Sequence, residues 1–161
     1  MIKEPHALNQ VAEFHATFKH PVIKTPAIPA KERCALRISL LAEELKELQQ
    51  AVDDDNLVEV ADALCDLQYV LAGAILEFGL AGKFKDLFDE VHRSNMSKAC
   101  KTADEALKTI AHYKNTDGTE SYHKEIEGLF LVYREPDNKT LKSINYSPAD
   151  LGRILAAGSP L

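Results

Sequence analysis

The sequence predicts a mainly α-helical protein, with a four-helix-bundle core and a C-terminal appendage that contains a helix and a β-hairpin. Apolar residues recur at intervals of three and four over four successive segments before residue 100, which is the period of an α-helix. Short polar, proline or glycine stretches separate those segments. After residue 100 the helical period gives way to mixed patterns. We therefore assign residues 1–100 to a helical core and residues 101–161 to an appendage of the same domain.

Each core helix is bounded by residues that stop a helix. The helices are predicted at 7–18, 31–52, 57–78 and 83–98. Pro21, Pro26 and Pro29 force an extended connection after the first helix, because proline lacks an N–H group and restricts the residue before it. A polar break at 53–56 separates the second helix from the third, and Gly79 is placed to cap the third.

The appendage begins with a helix that carries its own start signal. The segment 102–105, Thr-Ala-Asp-Glu, is a capping-box pattern and predicts a fifth helix that runs to about Tyr113. The segment 115–118, Asn-Thr-Asp-Gly, is typical of a turn. The fifth helix is therefore expected to end before that turn.

A β-hairpin and a short helix are predicted for the rest of the chain. Residues 129–134 and 140–144 have the composition of two strands, joined by a turn at 137–138. Serine followed by Pro148 is a good helix start, so a last helix is predicted at 147–155.

Two acidic clusters at helical spacing are the most informative feature of the chain. Glu43, Glu44 and Glu47 precede the polar break, and Glu59 and Asp62 follow it. Side chains three or four residues apart share a helix face, and a short break makes two helices antiparallel neighbours. At about 1.5 Å per residue, the two clusters should come level across the hairpin. Such a convergence of carboxylates is unfavourable unless cations neutralise it.

The second cluster carries more weight than the first. Glutamates on an amphipathic helix are usually a solvated face, so the first cluster alone would indicate little. Between residues 57 and 76, however, the charged side chains are only Glu59, Asp62 and Asp66, and they share one stripe. A helix that is otherwise apolar belongs inside a protein or an interface. Its acids must therefore face something that compensates them.

A divalent cation compensates these acids better than the nearby basic residues do. Arg37 could pair with Glu44, which is the structural alternative for one acid, but it cannot satisfy them all. A hard cation such as Mg²⁺ takes carboxylate oxygens together with water and phosphates. A di-iron bundle would need Glu-x-x-His on two helices, and the chain offers only a single Asp89-x-x-His92.

Composition excludes several other classes of function. The net charge of −6 argues against nucleic acid as a partner, since phosphate binding needs a basic face. Three cysteines lie far apart without metal-ligand spacing, which favours reduced thiols over a disulfide framework or zinc site. The N-terminus lacks a signal pattern and no apolar stretch is long enough to span a bilayer. We therefore expect a cytoplasmic protein that does not use a membrane.

The acidic motif resembles that of a known superfamily. Glu44-x-x-Glu47 followed by Glu59-x-x-Asp62 is similar to the paired motif of the all-α nucleoside triphosphate pyrophosphohydrolases, which include MazG proteins, dimeric dUTPases and phosphoribosyl-ATP pyrophosphohydrolase. Further similar segments are 11–15 with Pro21, 59–69, 88–98 and 142–151. The resemblance points to a MazG-like, phosphoribosyl-ATP pyrophosphohydrolase-like branch. It leaves residues 101 to about 128 without a role.

The resemblance implies roles for the acids. Glu44, Glu47, Glu59 and Asp62 would hold Mg²⁺, for which Mn²⁺ can substitute. Glu43, sharing the task with Glu44, would orient or deprotonate the attacking water as the catalytic base. Asp66 would orient one of the metal ligands without itself binding the metal.

Four more residues are candidates for substrate binding. Asn95 and Lys98 would contact the sugar and phosphates, although Lys98 could equally be a cation at a helix C-terminus. Phe14 and His15 would line a nucleobase pocket. The structural alternative for that pair is a core phenylalanine and a surface histidine.

The expected function is Mg²⁺-dependent hydrolysis of a (d)NTP to (d)NMP and pyrophosphate, which removes unwanted nucleotides from the pool. Two alternatives stay open: a phosphoribosyl-ATP pyrophosphohydrolase, and a non-catalytic helical bundle that binds or assembles through a structural acidic stripe. The broad apolar surface of the third helix further predicts a homodimer or higher assembly, with active sites near the subunit interface.

Overall fold

The computed structural model describes residues 2–157, which form six helices and two strands. The elements are α1 (Ala7–Phe18), α2 (Lys31–Asp53), α3 (Leu57–Glu77), α4 (Phe84–Met96), α5 (Ala103–Asp117), β1 (Ser121–Ile126), β2 (Leu129–Arg134) and α6 (Leu151–Ala156). The predicted fold class, mainly helical with a small antiparallel hairpin near the C-terminus, is confirmed. No helix within these residues is both long and apolar enough to cross a membrane.

The chain forms two compact units. The first extends to Lys85, and the second begins at Asp86 and includes the other described residues of the C-terminal half. This division falls inside α4, earlier than the change of sequence pattern at residue 100. The assignment of one domain with a core at 1–100 and an appendage at 101–161 stays a prediction.

The first unit is built on the helical hairpin of α2 and α3. Asn56 begins α3, and its side-chain oxygen accepts the N–H groups of Val58 and Glu59 at 3.2 and 3.4 Å. This is the usual N-cap arrangement, which satisfies donors that the first turn leaves unpaired. α1 packs on α3 through a buried cluster of Val11, Ala72 and Leu76. The bounds of all three helices agree with the sequence prediction to within a residue.

The proline-rich connection between α1 and α2 runs along the C-terminal end of α3. Ile23 N–H donates to the Leu76 carbonyl at 3.0 Å, and Ala27 N–H donates to that of Phe78 at 3.1 Å. Gly79 follows α3 with φ +68°, and the Leu80 N–H donates back to the Ile75 carbonyl. This last bond and the Gly79 N–H bond to the Leu76 carbonyl at 3.2 Å form a Schellman cap, which confirms the predicted role of the glycine.

Replacing Gly79 with alanine should destabilise the first unit. A Cβ at Gly79 would overlap the Thr25 carbonyl oxygen, in addition to the strain of a left-handed backbone. We expect a loss of about 2–3 kcal/mol in urea unfolding. Gly118→Ala is the matched control, because Gly118 has φ +74° but open space around it, so it should lose only about 1–2 kcal/mol. Equal losses of stability for the two variants would contradict the close contact between Gly79 and the Thr25 carbonyl.

In the second unit, α5 begins as predicted and ends later. The Thr102 hydroxyl accepts the Glu105 N–H at 3.2 Å, while the Glu105 carboxylate accepts the N–H of Lys101 at 2.9 Å. The helix continues to Asp117, so the turn predicted at 115–118 is wrong for its first three residues. The chain leaves the helix only at Gly118, whose left-handed conformation closes the last turn.

The hairpin uses a strand that the sequence did not reveal. β1 pairs with β2, with Ile126 opposite Leu129, around a two-residue turn in which Glu127 and Gly128 have φ +52° and +78°. Two positive φ values suit the natural twist of a hairpin. The predicted partner, 140–144, is wrong as a hairpin strand, although the Leu141 N–H donates to the Val132 carbonyl at 2.8 Å.

The last helix starts later than predicted. α6 begins at Leu151, and Asp150 caps it by accepting the Arg153 N–H at 3.0 Å. The predicted start at Ser147 is wrong because that residue is held elsewhere: its N–H donates to the Ser97 hydroxyl at 2.9 Å and its carbonyl accepts from Arg93.

Candidate functional site

The candidate acids lie on the two helices of the hairpin. Glu43, Glu44 and Glu47 are on α2, and Glu59, Asp62 and Asp66 are on α3. All of them are exposed except Glu44, which is half-buried. Exposure of the α3 acids follows from the N-terminal half of that helix, which other parts of the described chain leave largely uncovered.

The neighbouring acids shift the pKa of Glu44. Partial burial, followed by the charges of Asp66, Glu47, Glu43 and Asp62, raises its pKa above the ordinary value of 4.5. Asp66, which lies one turn farther along α3 than Asp62, comes first among these charges, and Glu59 is not among them. The acids that influence Glu44 across the hairpin are therefore Asp62 and Asp66.

The donor set fits a hard cation by its chemistry, since every candidate ligand is a carboxylate. Within residues 2–157, no three His, Cys, Asp or Glu side chains stand close enough together to hold a metal ion as they are. The crowding around Glu44 nevertheless carries excess negative charge, which a divalent cation would relieve. Assignment of Glu44, Glu47, Glu59 and Asp62 as metal ligands stays a prediction.

Arg37 does not pair with Glu44, which corrects the structural alternative drawn from the sequence. It forms an ion pair with Glu77 at the end of α3, and Arg33 joins the same carboxylate through Nε at 3.0 Å and through Nη2. Glu77 is only 1% exposed and Arg37 only 7%. Burying a carboxylate is costly unless opposite charges and hydrogen bonds stabilise it, and here two arginines do so for Glu77.

Helical spacing alone did not predict this network. The available signal was Glu77, a lone acid at the end of an otherwise apolar stretch, together with arginines at 33 and 37. Residues four apart share a helix face, so both guanidinium groups can reach one carboxylate.

His15 completes the network and is buried, with 2% of its surface exposed. Its Nδ1 donates to the Pro21 carbonyl at 2.8 Å, which leaves Nε2 to accept from Arg37 Nη2 at 3.2 Å. Gly73 makes room: a Cβ there would lie 2.7 Å from Arg37 Nη1 and 3.2 Å from His15 Nε2. The surface-histidine alternative is therefore wrong, and so is the core-phenylalanine one, because Phe14 is 36% exposed.

Burial and hydrogen bonding set the charge of this network. Burial lowers the pKa of His15 below 6.5, and the nearby Arg37 lowers it further, against opposing effects of the Pro21 carbonyl and Glu77. Burial alone would raise the pKa of Glu77, but hydrogen bonds from Arg33 and Arg37 outweigh it and lower that pKa below 4.5. The folded state therefore holds a neutral His15 beside an ionised Glu77.

Stability should decline as the pH falls through the unfolded-state pKa of His15. Below about pH 6.5 the unfolded chain protonates this histidine while the folded chain keeps it neutral, so the unfolded state binds more protons. We expect up to about 1.4 kcal/mol of lost stability per pH unit from this group. Urea unfolding between about pH 7 and pH 5 measures the slope. His15→Asn, which does not titrate there, should have a flatter profile; an unchanged slope would contradict the assignment.

A cavity of about 210 Å³ lies between α1, α2 and α3. On its wall, Phe14 meets Tyr69 edge to face at 5.7 Å and stacks on His20 at 5.6 Å with an interplanar angle of 11°. Arg33 and Arg37 also line it. Its volume is below the range of about 300–1,000 Å³ that is typical for drug-sized ligands, so it suits a single ring system.

This cavity lies one helical turn from the acids. Leu40 on its wall precedes Glu44 by four residues, and Val70 follows Asp66 by four. Residues four apart lie one above the other on a helix, and a turn is about 5.4 Å long. The hairpin of α2 and α3 therefore places an aromatic, ring-sized cavity next to a cluster of carboxylates.

The other two candidate residues belong to the second unit. Asn95 is exposed in the last turn of α4, and Lys98 follows the helix and is half-buried. The Lys98 ammonium group donates to the Asn95 side-chain oxygen at 2.8 Å. Their role in sugar and phosphate binding stays a prediction.

Comparison with known proteins gives the class and the family. The phosphoribosyl-ATP pyrophosphohydrolase family model matches residues 11–95, which contain α2, α3 and the acidic hairpin. That match covers more than half of the chain and places it among the all-α NTP pyrophosphohydrolases. The chain belongs to the phosphoribosyl-ATP pyrophosphohydrolase family, and this membership supports hydrolase chemistry of the pyrophosphohydrolase type.

A curated relative comes from a giant virus. The chain is 26% identical to an uncharacterized protein of Acanthamoeba polyphaga mimivirus, over 83% of this chain and 89% of the relative. The likeness extends well beyond the family match, but the relative has no described function to compare.

Proposed function

We propose that this protein is a Mg²⁺-dependent nucleoside triphosphate pyrophosphohydrolase that converts a (d)NTP to (d)NMP and pyrophosphate and so clears unwanted nucleotides. The observation that carries the proposal is the placement of carboxylates on α2 and α3 about one helical turn from a ring-sized aromatic cavity. A nucleotide needs both parts, because its base is a flat ring and its phosphates are anionic. Family membership supports the reaction type.

The acids divide the chemical work. Glu44, Glu47, Glu59 and Asp62 would hold Mg²⁺, and Mn²⁺ should replace it. The cation supplies neutralisation of the phosphate charge. Glu43, with Glu44, positions the attacking water and takes its proton as a general base. Asp66 would orient one of the ligand carboxylates, with the bound cation offsetting the repulsion between the two acids.

The cavity supports some of the candidate substrate contacts, and the family resemblance alone supports the others. Phe14 gives the cavity wall a partly exposed aromatic side chain against which the base would pack. His15 acts through Arg37, because both of its ring nitrogens already have partners. Asn95 and Lys98 supply a polar group and a cation for the sugar and the phosphates.

A nucleotide panel tests this proposal. The protein is incubated with the common and non-standard dNTPs and NTPs and with phosphoribosyl-ATP, in the presence of Mg²⁺, Mn²⁺ or EDTA, and pyrophosphate is measured. We expect release with either metal and none with EDTA. Absence of metal-dependent release from every nucleotide would overturn the proposal.

The non-catalytic alternative predicts a different response to metal. A metal site should raise the unfolding midpoint as Mg²⁺ or Mn²⁺ is added, through ligand linkage. A structural acidic stripe should respond to general salt and not to low concentrations of divalent cation.

We further propose that the protein is a homodimer or higher assembly with active sites near the interface. Leu57 and Val58 at the start of α3 are 80% and 76% exposed, and Leu45 and Val52 of α2 are 59% and 55% exposed. Apolar side chains this exposed on neighbouring helices mark an interaction surface. Size-exclusion chromatography with light scattering should give at least twice the mass of one chain at micromolar concentration; a monomer would contradict the proposal.

Cellular location and other partners follow from composition. Cys34, Cys65 and Cys100 are all free thiols in the described chain, which fits a reducing cytoplasm. The net charge of −6 argues against nucleic acid as the main partner.

A further inference from the structure

Lys98 is a half-buried cation that forms no ion pair with any carboxylate of residues 2–157. Its ammonium group donates to the neutral side-chain oxygen of Asn95 at 2.8 Å. Arg93, which lies earlier on α4, is paired with Glu90. A lysine that is partly removed from water usually has an anionic partner. The charge of Lys98 is therefore free to hold an anionic ligand.

The short segment that carries Lys98 is fixed at three points. The Lys98 carbonyl accepts the Ser143 N–H at 3.1 Å. Two residues later the chain exchanges two backbone hydrogen bonds with β2, both 2.9 Å long. The next N–H, that of Lys101, donates to the Glu105 carboxylate at 2.9 Å. The backbone from which the Lys98 side chain extends therefore has little freedom to move.

The carboxylate of Glu105 connects two of these three points. Besides the Lys101 N–H, it accepts hydrogen bonds from the Ser143 hydroxyl and from the Asn145 side chain. Partial burial alone would raise the pKa of Glu105, but these hydrogen bonds outweigh it and lower that pKa below 4.5. Ser143 is only 4% exposed. Its hydroxyl and its N–H therefore join the start of α5 to the carbonyl of Lys98.

The segment around Ser143 is held against α5 at a further point. The Ile144 N–H donates to the Thr109 hydroxyl at 3.2 Å, and that hydroxyl donates to the Glu105 carbonyl at 2.8 Å. Thr109 is fully buried. A network that is in place before the ligand arrives does not need to reorganise when the ligand binds.

We propose that Glu105 and Ser143 are positioning residues that hold Lys98 in place for the phosphates of the substrate. This deepens the proposed function and rests on it, since that function makes Lys98 a phosphate contact. Neither Glu105 nor Ser143 touches the substrate; each acts through the backbone of Lys98. The start of α5, which lies beyond the residues matched by the family model, thereby gains a role.

Binding of pyrophosphate, the proposed product, tests this role without turnover. Its affinity is measured by isothermal titration calorimetry in the presence of Mg²⁺. Lys98→Ala should weaken binding about tenfold or more, because it removes a charged hydrogen-bond donor. Ser143→Ala and Glu105→Gln should each weaken it about three- to tenfold, which corresponds to the cost of immobilising one long side chain on binding. Glu125→Gln, an exposed change on β1, should stay within about twofold.

Double variants separate positioning of Lys98 from a general loss of structure. In a Lys98→Ala background, Ser143→Ala should change the pyrophosphate affinity by less than about twofold, because the side chain that it positions is absent. Equal effects of Ser143→Ala in both backgrounds would overturn the proposal. So would full affinity in Ser143→Ala or in Lys98→Ala, or no binding by the wild type. Circular dichroism checks that each variant is folded; if Glu105→Gln is not, the milder Ser143→Ala decides alone.

Pyrophosphate binding and the nucleotide assay fail separately. A protein that binds pyrophosphate through Lys98 and Ser143 but cleaves no nucleotide keeps the positioning role and loses the proposed reaction. A protein that cleaves nucleotides, and whose pyrophosphate affinity does not change in Ser143→Ala, keeps the reaction and loses the positioning role.

Discussion

Glu77→Gln is expected to lower the free energy of unfolding by about 3–5 kcal/mol, the cost of leaving a buried charge without its partner. Glu77 holds Arg37, which is 7% exposed, and also Arg33. Arg33 is partly exposed and can turn to water once released, but Arg37 cannot. Since whole domains are stable by about 5–15 kcal/mol, this change should be evident in urea unfolding followed by circular dichroism.

Two controls separate loss of the ion pair from loss of a negative charge. Glu13→Gln, on the exposed face of α1, makes the same chemical change and should stay within about 0.5 kcal/mol of wild type. The double variant Glu77→Leu with Arg37→Met should recover much of the loss, because an apolar pair can replace a buried ion pair. Similar stabilities for Glu77→Gln and Glu13→Gln would contradict the network.

Local patterns predicted the first unit well, because each boundary there depends on adjacent residues. Three prolines end the regular structure after α1, Asn56 caps α3 and Gly79 closes it. Local patterns predicted the second unit less well, because its boundaries depend on residues that are distant in sequence. β1 is only partly buried and lacks a strong alternating pattern, and the start of α6 depends on Ser147 being held by Ser97, fifty residues away in sequence.

The candidate site shows the same limit at the level of side chains. Helical spacing was enough to bring the acids of α2 and α3 onto facing helices. It could not show that Asp66 would affect the pKa of Glu44 more strongly than Asp62 does. Nor could it show that Arg37 turns away from Glu44 to Glu77, because that choice depends on the space at Gly73. Helical spacing predicts which helix face each side chain lies on, whereas tertiary packing determines which residue it pairs with.

Glu47→Gln and Glu59→Gln should each reduce metal-dependent pyrophosphate release by about 100-fold or more. Each change removes a charged oxygen that the proposal assigns to the metal, and stabilisation by a bound cation amounts to several kcal/mol. One factor of ten in rate corresponds to about 1.4 kcal/mol. Initial rates are measured at saturating nucleotide over a range of Mg²⁺, and the variants should also need more metal to reach half of their maximal rate.

The electrostatic environment of Glu44 allows a sharper form of this prediction. Asp66 contributes more than any other acid to raising the pKa of Glu44, whereas Glu59 is not among the main causes. If ligand carboxylates gather around Glu44, Asp66→Asn should be at least as damaging as Glu59→Gln. Glu32→Gln, an exposed change on the same helix as Glu47, should leave the rate within about twofold. Full activity in both Glu47→Gln and Glu59→Gln would exclude these residues as metal ligands. A severe loss of activity in Asp66→Asn alone would indicate that the metal binds farther from the turn between α2 and α3, next to the cavity and nearer to the base.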